Sequence, residues 1–415
     1  MSIWRTLKLD QLGSVGRGRS KHRPRNDPQL YGGPYPFFQT GDVTQAELCL
    51  RRFSQTYSDS GLAQSKLWQS GTLCITIAAN IADTAILAVE GCFPDSIVGF
   101  IADPNKADVR FIKYYIDTIK RSMQNVSKGT TQDNLSLDKL LMFDFRVPSV
   151  DYQRRIASIL SAYDDLIENN TRRIAIFEEM ARRLYEEWFL HFRFPGHEQV
   201  RMVQSELGLI PEGWMVSHLF DFGKVVTGKT PSKANPAFFG NDVPFIKTPD
   251  MHDNMFCIST SESLSELGAQ SQENKTLPPN SLCVSCIGTA GVVTITSQAA
   301  QTNQQINSIV ISDIKVREFL YFALHGLKET IQQYGANGAT MVNLNKSKFE
   351  NLKVIFPDKS ILVQFHEMVV AIFDLVKILQ YKNTNLRAQR DLLLPKLISG
   401  EIDVSSFPDP KAALA

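Results

Sequence analysis

The sequence predicts an α+β protein built twice. Two mixed α/β domains, weighted toward β, are held apart by two long helices paired antiparallel as a coiled coil, in a pseudo-twofold arrangement. Three observations predict this. First, Trp4, Leu9, Gly13, Val15 and Gly18 recur as Trp214, Leu219, Gly223, Val225 and Gly228, always 210 residues on, and Asn134-Leu135 with Pro148 recurs as Asn343-Leu344 with Pro357. Second, short β-branched runs alternate with polar loops inside each copy. Third, each copy closes on a long apolar seam stepping by three or four residues. A repeat this long is a duplicated domain, because solenoid units run to roughly 20–50 residues.

The elements follow in chain order. Leu73 to Ala78 and Gly291 to Thr296 are apolar and β-branched, bounded by Gly, Pro, Asn and Asp, as strands are. Helices fit Val109 to Met123 and, in the second copy, Val316 to Gln333. Residues 150–192 contain neither Pro nor Gly. Ile156, Ile159, Tyr163, Leu166, Asn170, Ile174, Phe177, Ala181, Leu184 and Trp188 mark one face of that stretch. Some 40 residues at the helical rise make a rod of roughly 60 Å. The second copy repeats it from about 360 to 398 through Phe365, Met368, Ile372, Leu375, Leu379, Leu386 and Leu393. Asn170 sits on the first seam, where a buried polar residue sets register at some cost in stability. Pro148-Ser149 and Pro357-Asp358 supply a breaker and an N-cap type, followed by Gln153 and Gln364. The resulting division is 1–149 first domain, 150–194 first helix, 195–213 linker, 214–357 second domain, 358–400 second helix and 401–415 tail.

Composition bounds the function. The 415 residues carry 43% hydrophobic and 21% charged side chains, as packed cores do. No apolar run reaches the roughly 18 residues of a membrane span, and the N-terminus lacks the apolar core of a secretion signal. A soluble cytoplasmic protein is expected, with the six cysteines as free thiols. Cys283 and Cys286 form a lone CxxC in an apolar run and read as buried cysteines of a strand, not a metal site. The net charge is only +1, yet residues 1–30 hold seven Lys/Arg against two acids.

Two catalytic patterns are outweighed by their surroundings. Gly223 to Thr230 fits GxxxxGK[ST], but a phosphate loop needs a helix after it, and Pro231 and Pro236 oppose one. A strand end opening into a basic loop is expected instead. Pro249-Asp250 with Glu273-Asn274-Lys275 loosely matches a magnesium nuclease site, and the first copy has no equivalent. The seven histidines show no paired-ligand spacing, and no nucleophile elbow or dinucleotide fingerprint is present. No catalytic centre and no metal site is expected on this chain.

Recognition chemistry remains. Arg17, Arg19, Lys21, Arg23 and Arg25 alternate with Gly, Ser and Pro, and arginine pairs with guanine edges or phosphate. The second copy offers Lys229, Thr230, Ser232 and Lys233. Thr40 and Thr248 lie in turns of matching sequence. Lys128 and Thr130 match Asn337 and Thr340 in a second pair of polar loops. Gln304 and Gln305 carry amides suited to adenine.

Together these features resemble the DNA-specificity subunits of type I restriction–modification systems, across essentially the whole chain. The resemblance includes Ile210-Pro211-Glu212-Gly213-Trp214, the Asn-Leu before each long helix, the Pro-then-Gln helix starts, Leu184 to Phe189, and Leu397 to Ile402. It implies that each domain is a target recognition domain reading one half of a split site in double-stranded DNA, with the helices as spacer. It implies docking of two methyltransferase subunits, for which Tyr163, Phe177, Trp188, Phe189, Leu379 and Leu393 are the candidates on the helices. The chain itself would bind no cofactor. S-adenosylmethionine would sit on the methyltransferase subunits, and ATP and Mg on the motor-nuclease subunits that cut unmodified DNA. Three other readings stay open: a specificity chain whose partner fuses methyltransferase and nuclease, a phosphate-loop NTPase, and a coiled-coil scaffold that does not bind DNA.

Overall fold

The computed structural model describes residues 4–127, 134–336 and 343–407. The chain divides into two compact units, Met1–Glu168 with Leu386–Ala415, and Asn169–Asn385.

The first unit is built on a five-stranded sheet of β1 (Gly13–Arg17), β2 (Cys49–Leu50), β3 (Leu73–Thr76), β4 (Thr84–Leu87) and β5 (Ile97–Ala102), in the order β1-β5-β3-β4-β2. All pairs are antiparallel except β2 with β4. The second unit repeats this with β6 (Gly223–Thr227), β7 (Phe256–Cys257), β8 (Leu282–Ser285), β9 (Val293–Thr296) and β10 (Ile306–Ile311), in the order β6-β10-β8-β9-β7, again with one parallel pair, β7 with β9. Strands β3 and β8 are buried at every residue, so both read as continuous apolar runs without alternation.

The repeated Asn-Leu phrase is a lock. The Leu135 amide donates to Ile77 O at 2.9 Å, and the Leu344 amide donates to Cys286 O at 2.9 Å, just past β3 and β8. Both leucines are buried. The expected strands are shorter than read: β3 stops at Thr76 before the Ala79 turn (φ 62°), and β9 starts only after Gly291 (φ 88°). Helix α1 (Val109–Ser127) matches its expectation and runs four residues further. Its counterpart is broken into α3 (Arg317–Gly326) and α4 (Lys328–Ala336) around Leu327, because Gly326 weakens the helix at that point. The linker is not bare coil: Met202–Ser205 and Gly208–Pro211 form an antiparallel hairpin, with Gly208 at φ 104°.

The long helices are α2 (Val150–Tyr185), extended by a π turn over Glu186–Leu190, and α5 (Lys359–Ser399). Asp358 caps α5, accepting from the Ser360 amide at 2.8 Å. Gly400, at φ 79°, follows its end. Each unit contains part of both helices. In the first, Tyr152 Oη donates to Asp403 Oδ1 at 3.0 Å, and Arg390 pairs with the buried Asp164. In the second, Asn170 Nδ2 donates to Asn383 Oδ1 at 2.9 Å, and Trp188 lies 5.9 Å from Phe365, ring to ring. As numbers rise on one helix they fall on the other, so the helices run antiparallel.

The expected polar position on the seam is therefore an asparagine pair, buried on both sides. Gln153 is fully buried and ties the start of α2 to Pro148 O and Lys106 O at 3.0 Å each. Gln364 is exposed, so the two glutamines are not structural counterparts. Each core takes residues from a sheet, its helices and both long helices: Ile75, Phe100, Phe111, Ile156 and Leu397 in one unit, Val284, Ile309, Phe319, Phe189 and Phe365 in the other. Each such side chain contributes roughly 1.5–3 kcal/mol by leaving water.

Candidate DNA interface

The end of β1 and the end of β6 place one basic residue in the same setting. After β1, the Gly18 amide donates to Ile97 O at 2.8 Å and the Arg19 amide to Phe93 O at 3.0 Å. After β6, the Gly228 amide donates to Ile306 O at 3.0 Å and the Lys229 amide to Thr302 O at 2.9 Å. Both carbonyls are also engaged: Ser65 Oγ donates to Arg19 O at 2.7 Å, and Gln272 Nε2 donates to Lys229 O at 2.8 Å. The approach requires glycine, since a Cβ on Gly18 would stand 2.2 Å from Pro94 O and one on Gly228 2.1 Å from Asn303 O. Arg19 and Lys229 are exposed, and among the described residues neither side chain has a hydrogen bond or an ion pair. Backbone pinned and side chain free is the arrangement of a group held ready for a ligand.

The other basic residues of the first loop divide by what they touch. Arg17 Nε donates to Asp95 O at 2.9 Å. Arg23 Nη1 donates to Ser20 O at 2.9 Å and His22 O at 2.7 Å. Arg25 pairs with Asp95 at 2.9 Å. These three shape the loop. Lys21 is exposed and, among the described residues, without a side-chain partner. Two backbone amides also stiffen the loop: His22 N donates to Gln64 Oε1 and Gln29 N donates to Asp27 Oδ1, each at 3.0 Å. The Gln29 amide, and then His22, hold the Asp27 carboxyl below its ordinary range. Lys66 belongs to the same patch although nothing in its local sequence marks it. It follows Ser65 in the chain, and its ammonium stands 3.6 Å over the Trp68 ring.

The second loop is less basic. Thr230 Oγ1 donates to Gln304 Oε1 at 2.7 Å, and Gln305 Oε1 accepts from Asn303 Nδ2 at 3.0 Å, so part of each amide is spent inside the chain. Ser232 and Lys233 are exposed. Glu273 follows Gln272 where Lys66 follows Ser65, so an acid stands in the place of a base. The phosphate-loop pattern lies on β6 and the loop after it, with only the short turn Pro236–Phe238 beyond, so no helix meets a phosphate there.

Several expected residues are placed elsewhere. Thr40 and Thr248 start short helices, Thr40–Gln45 and Thr248–Met251, and do not lie in turns. Asp42 and Asp250 cap those helices, accepting from the Gln39 amide at 2.7 Å and the Lys247 amide at 2.9 Å. That use accounts for the aspartate of the nuclease-like pattern. Thr248 is 8% exposed and faces inward. Trp188, Phe189 and Leu379 are buried within the chain, and Phe177 packs on the same core as the two aromatics. Trp188, Phe189 and Leu379 hold this chain together and offer no surface to a partner, and Phe177 is half-buried. Tyr163 and Leu393 are half-buried. Lys128, Thr130, Asn337 and Thr340 lie outside the described residues. Burial pushes the Cys283 thiol up to about 12 and the Cys286 thiol to about 11, the opposite of what a thiolate ligand needs. Among the described residues no three His, Cys, Asp or Glu side chains group as metal ligands, and no helix is long and apolar enough to cross a membrane.

Comparison with known proteins agrees with this duplicated plan. The family described as "Type I restriction modification DNA specificity domain" matches residues 1–178 and again 211–388, in step with the repeat. The chain is similar to the type I restriction enzyme HindI specificity subunit of Haemophilus influenzae, 33% identical over 333 residues, spanning 66% of this chain and 72% of that one. It is also similar to the MjaIX specificity subunit of Methanocaldococcus jannaschii, 27% identical over 421 residues, spanning 97% and 94%. Among solved structures, the S subunit of a type I restriction-modification system from M. genitalium shares the fold, with a TM-score of 0.61 at 15% identity over 95% of this chain and 96% of that one.

Proposed function

The chain belongs to the family of type I restriction–modification DNA specificity subunits, and from that premise we propose that it reads an asymmetric two-part DNA site, one half with each recognition domain. The observation that carries this reading is the matched anchoring of Arg19 and Lys229. Each presents one free cation from a rigid backbone at the same point of a duplicated sheet. Such groups contact phosphate and set the register of a module on the duplex, while side chains around them read base edges. Lys21 and Lys66 in one loop, Ser232 and Lys233 in the other, give the two modules different surfaces, so the halves of the site differ. The net charge of +1 supplies little long-range attraction, which favours partners that complete a basic channel.

The chemistry belongs to partners. Two methyltransferase subunits carrying S-adenosylmethionine dock on the chain and modify an adenine in each half. Motor-nuclease subunits with ATP and Mg join to cut unmodified DNA. The long helices set the gap between the halves.

Mapping of adenine methylation in cells that carry this chain with its methyltransferase tests the reading. A split motif present with the chain and lost without it is expected. Methylation that ignores the chain sinks it. In purified complexes, Arg19→Ala and Lys229→Ala should each weaken DNA binding by roughly 3–10-fold regardless of sequence and lower the salt slope by about 1. A changed motif with an unchanged salt slope would instead make these residues base readers.

A further inference from the structure

A cavity of about 400 Å³ opens in the unit Asn169–Asn385, between the last turns of α2 and helix α3. Its wall holds three carboxylates (Glu178, Glu179 and Glu186), the Arg182 guanidinium, the phenols of Tyr185 and Tyr321, and apolar side chains such as Met255 and Phe322. The charges beside Glu178 are already matched. Arg182 pairs with Glu179 at 2.6 Å and also with Glu186, and Arg183 pairs with Glu179 at 2.6 Å. Glu178 has no hydrogen bond or ion pair among the described residues, and the nearby charge that acts on it is Asp253, of the same sign. Tyr185 and Tyr321 are 8% and 7% exposed, line the cavity, and their hydroxyls have no partner among the described residues. A half-buried carboxylate with no cation of its own in a largely apolar wall is costly, and the two phenols line the cavity without a partner within the described residues. They are the groups that a ligand would satisfy.

The geometry points to a socket for an arginine side chain of a docking methyltransferase subunit. The guanidinium would take Glu178 as charged acceptor and the two phenol oxygens as further acceptors. Met255 and Phe322 would cover its methylene stem. The volume holds one long side chain and is too small for a helix. Leu190, 57% exposed at the rim, supplies the apolar border that shields such an anchor from water. The site turns away from Trp188 and Phe189, which the core consumes. This inference rests on the reading that the chain assembles with methyltransferase subunits.

Calorimetric titration of the full chain with its methyltransferase subunit tests it. Glu178→Gln is expected to weaken docking at least tenfold and Tyr321→Phe by roughly 3–10-fold, with circular dichroism unchanged. Glu178→Arg is expected to abolish docking, and one arginine-to-glutamate change on the subunit should restore it. Wild-type affinity in Glu178→Gln, or no restoring partner across a full arginine scan, overturns the socket and leaves assembly standing. A wild-type chain that binds no methyltransferase subunit overturns the assembly reading and the socket with it.

Discussion

Free charge separates the side chains proposed to meet DNA from those that shape the loop. Arg17, Arg23 and Arg25 lie in the same stretch as Arg19, yet each spends its guanidinium within the chain, Arg17 and Arg25 on Asp95 and Arg23 on the loop's own carbonyls. Exposed pairs of this kind contribute little to stability, on the order of 0–1 kcal/mol each, so their use is to shape the loop. Glu178 is the opposite case. Burial, with Asp253 beside it, pushes its carboxyl up to about 7. The folded-state value is raised, so the fold is most stable at low pH and loses stability as pH rises from the ordinary glutamate range through about 7. Glu178→Gln removes that loss. At pH 8 the variant should therefore melt higher than the wild type, by something on the order of 2 kcal/mol after discounting for its partial exposure. At about pH 4, below the ordinary glutamate value, the difference should nearly vanish. Denaturant melts at the two pH values check this, and a gap that does not change with pH counts against a buried, unpaired carboxylate.

The two long helices carry their own specification. Their seam is apolar enough to drive pairing, and the Asn170–Asn383 pair interrupts it at one level. An amide in an apolar seam costs stability but matches only another amide, so it disfavours slipped registers. Asn170→Leu alone would remove the Asn170 amide that donates to the Asn383 side-chain carbonyl and is expected to lower stability by about 1–2 kcal/mol. Asn170→Leu with Asn383→Leu should recover that loss and raise the thermal midpoint above wild type. A single variant as stable as the double variant would deny the pair its role. The sheets are specified differently. Their central strands are buried throughout, and the leucine locks at Leu135 and Leu344 tie each domain's chain back to its sheet before the long helix begins.

For the whole molecule, duplication and division of labour go together. The same sheet order occurs twice, the same anchor occurs twice, and the loops that follow the anchors differ in charge. Replacing residues 1–149 by the corresponding domain of a relative should therefore change one half of the methylated motif and leave the other half intact. Adding two full turns to both α2 and α5 should lengthen the gap by several base pairs without changing either half, given the roughly 1.5 Å rise per residue. Methylation mapping reads both outcomes. A swap that alters both halves, or an insertion that leaves the gap unchanged, is incompatible with one domain per half and helices as spacer.

Much of this plan was legible from residue order alone. The duplication, the two long helices, α1, the strand runs and the basic loop after Gly18 are local patterns. A period, a breaker or a run of like residues acts through neighbours a few positions away, so it survives without the fold. What only the tertiary structure decided is which side chains are left over. Arg25 is consumed by Asp95, which is 70 positions distant. Thr248 and Gln305 look like surface polar groups and are turned inward or spent. Trp188 and Phe189 look like a docking face and are core. Lys66 and Glu178 carry no local signature and become candidates because nothing cancels their charge. Burial and pairing depend on contacts between distant segments, and those contacts exist only once the chain has folded.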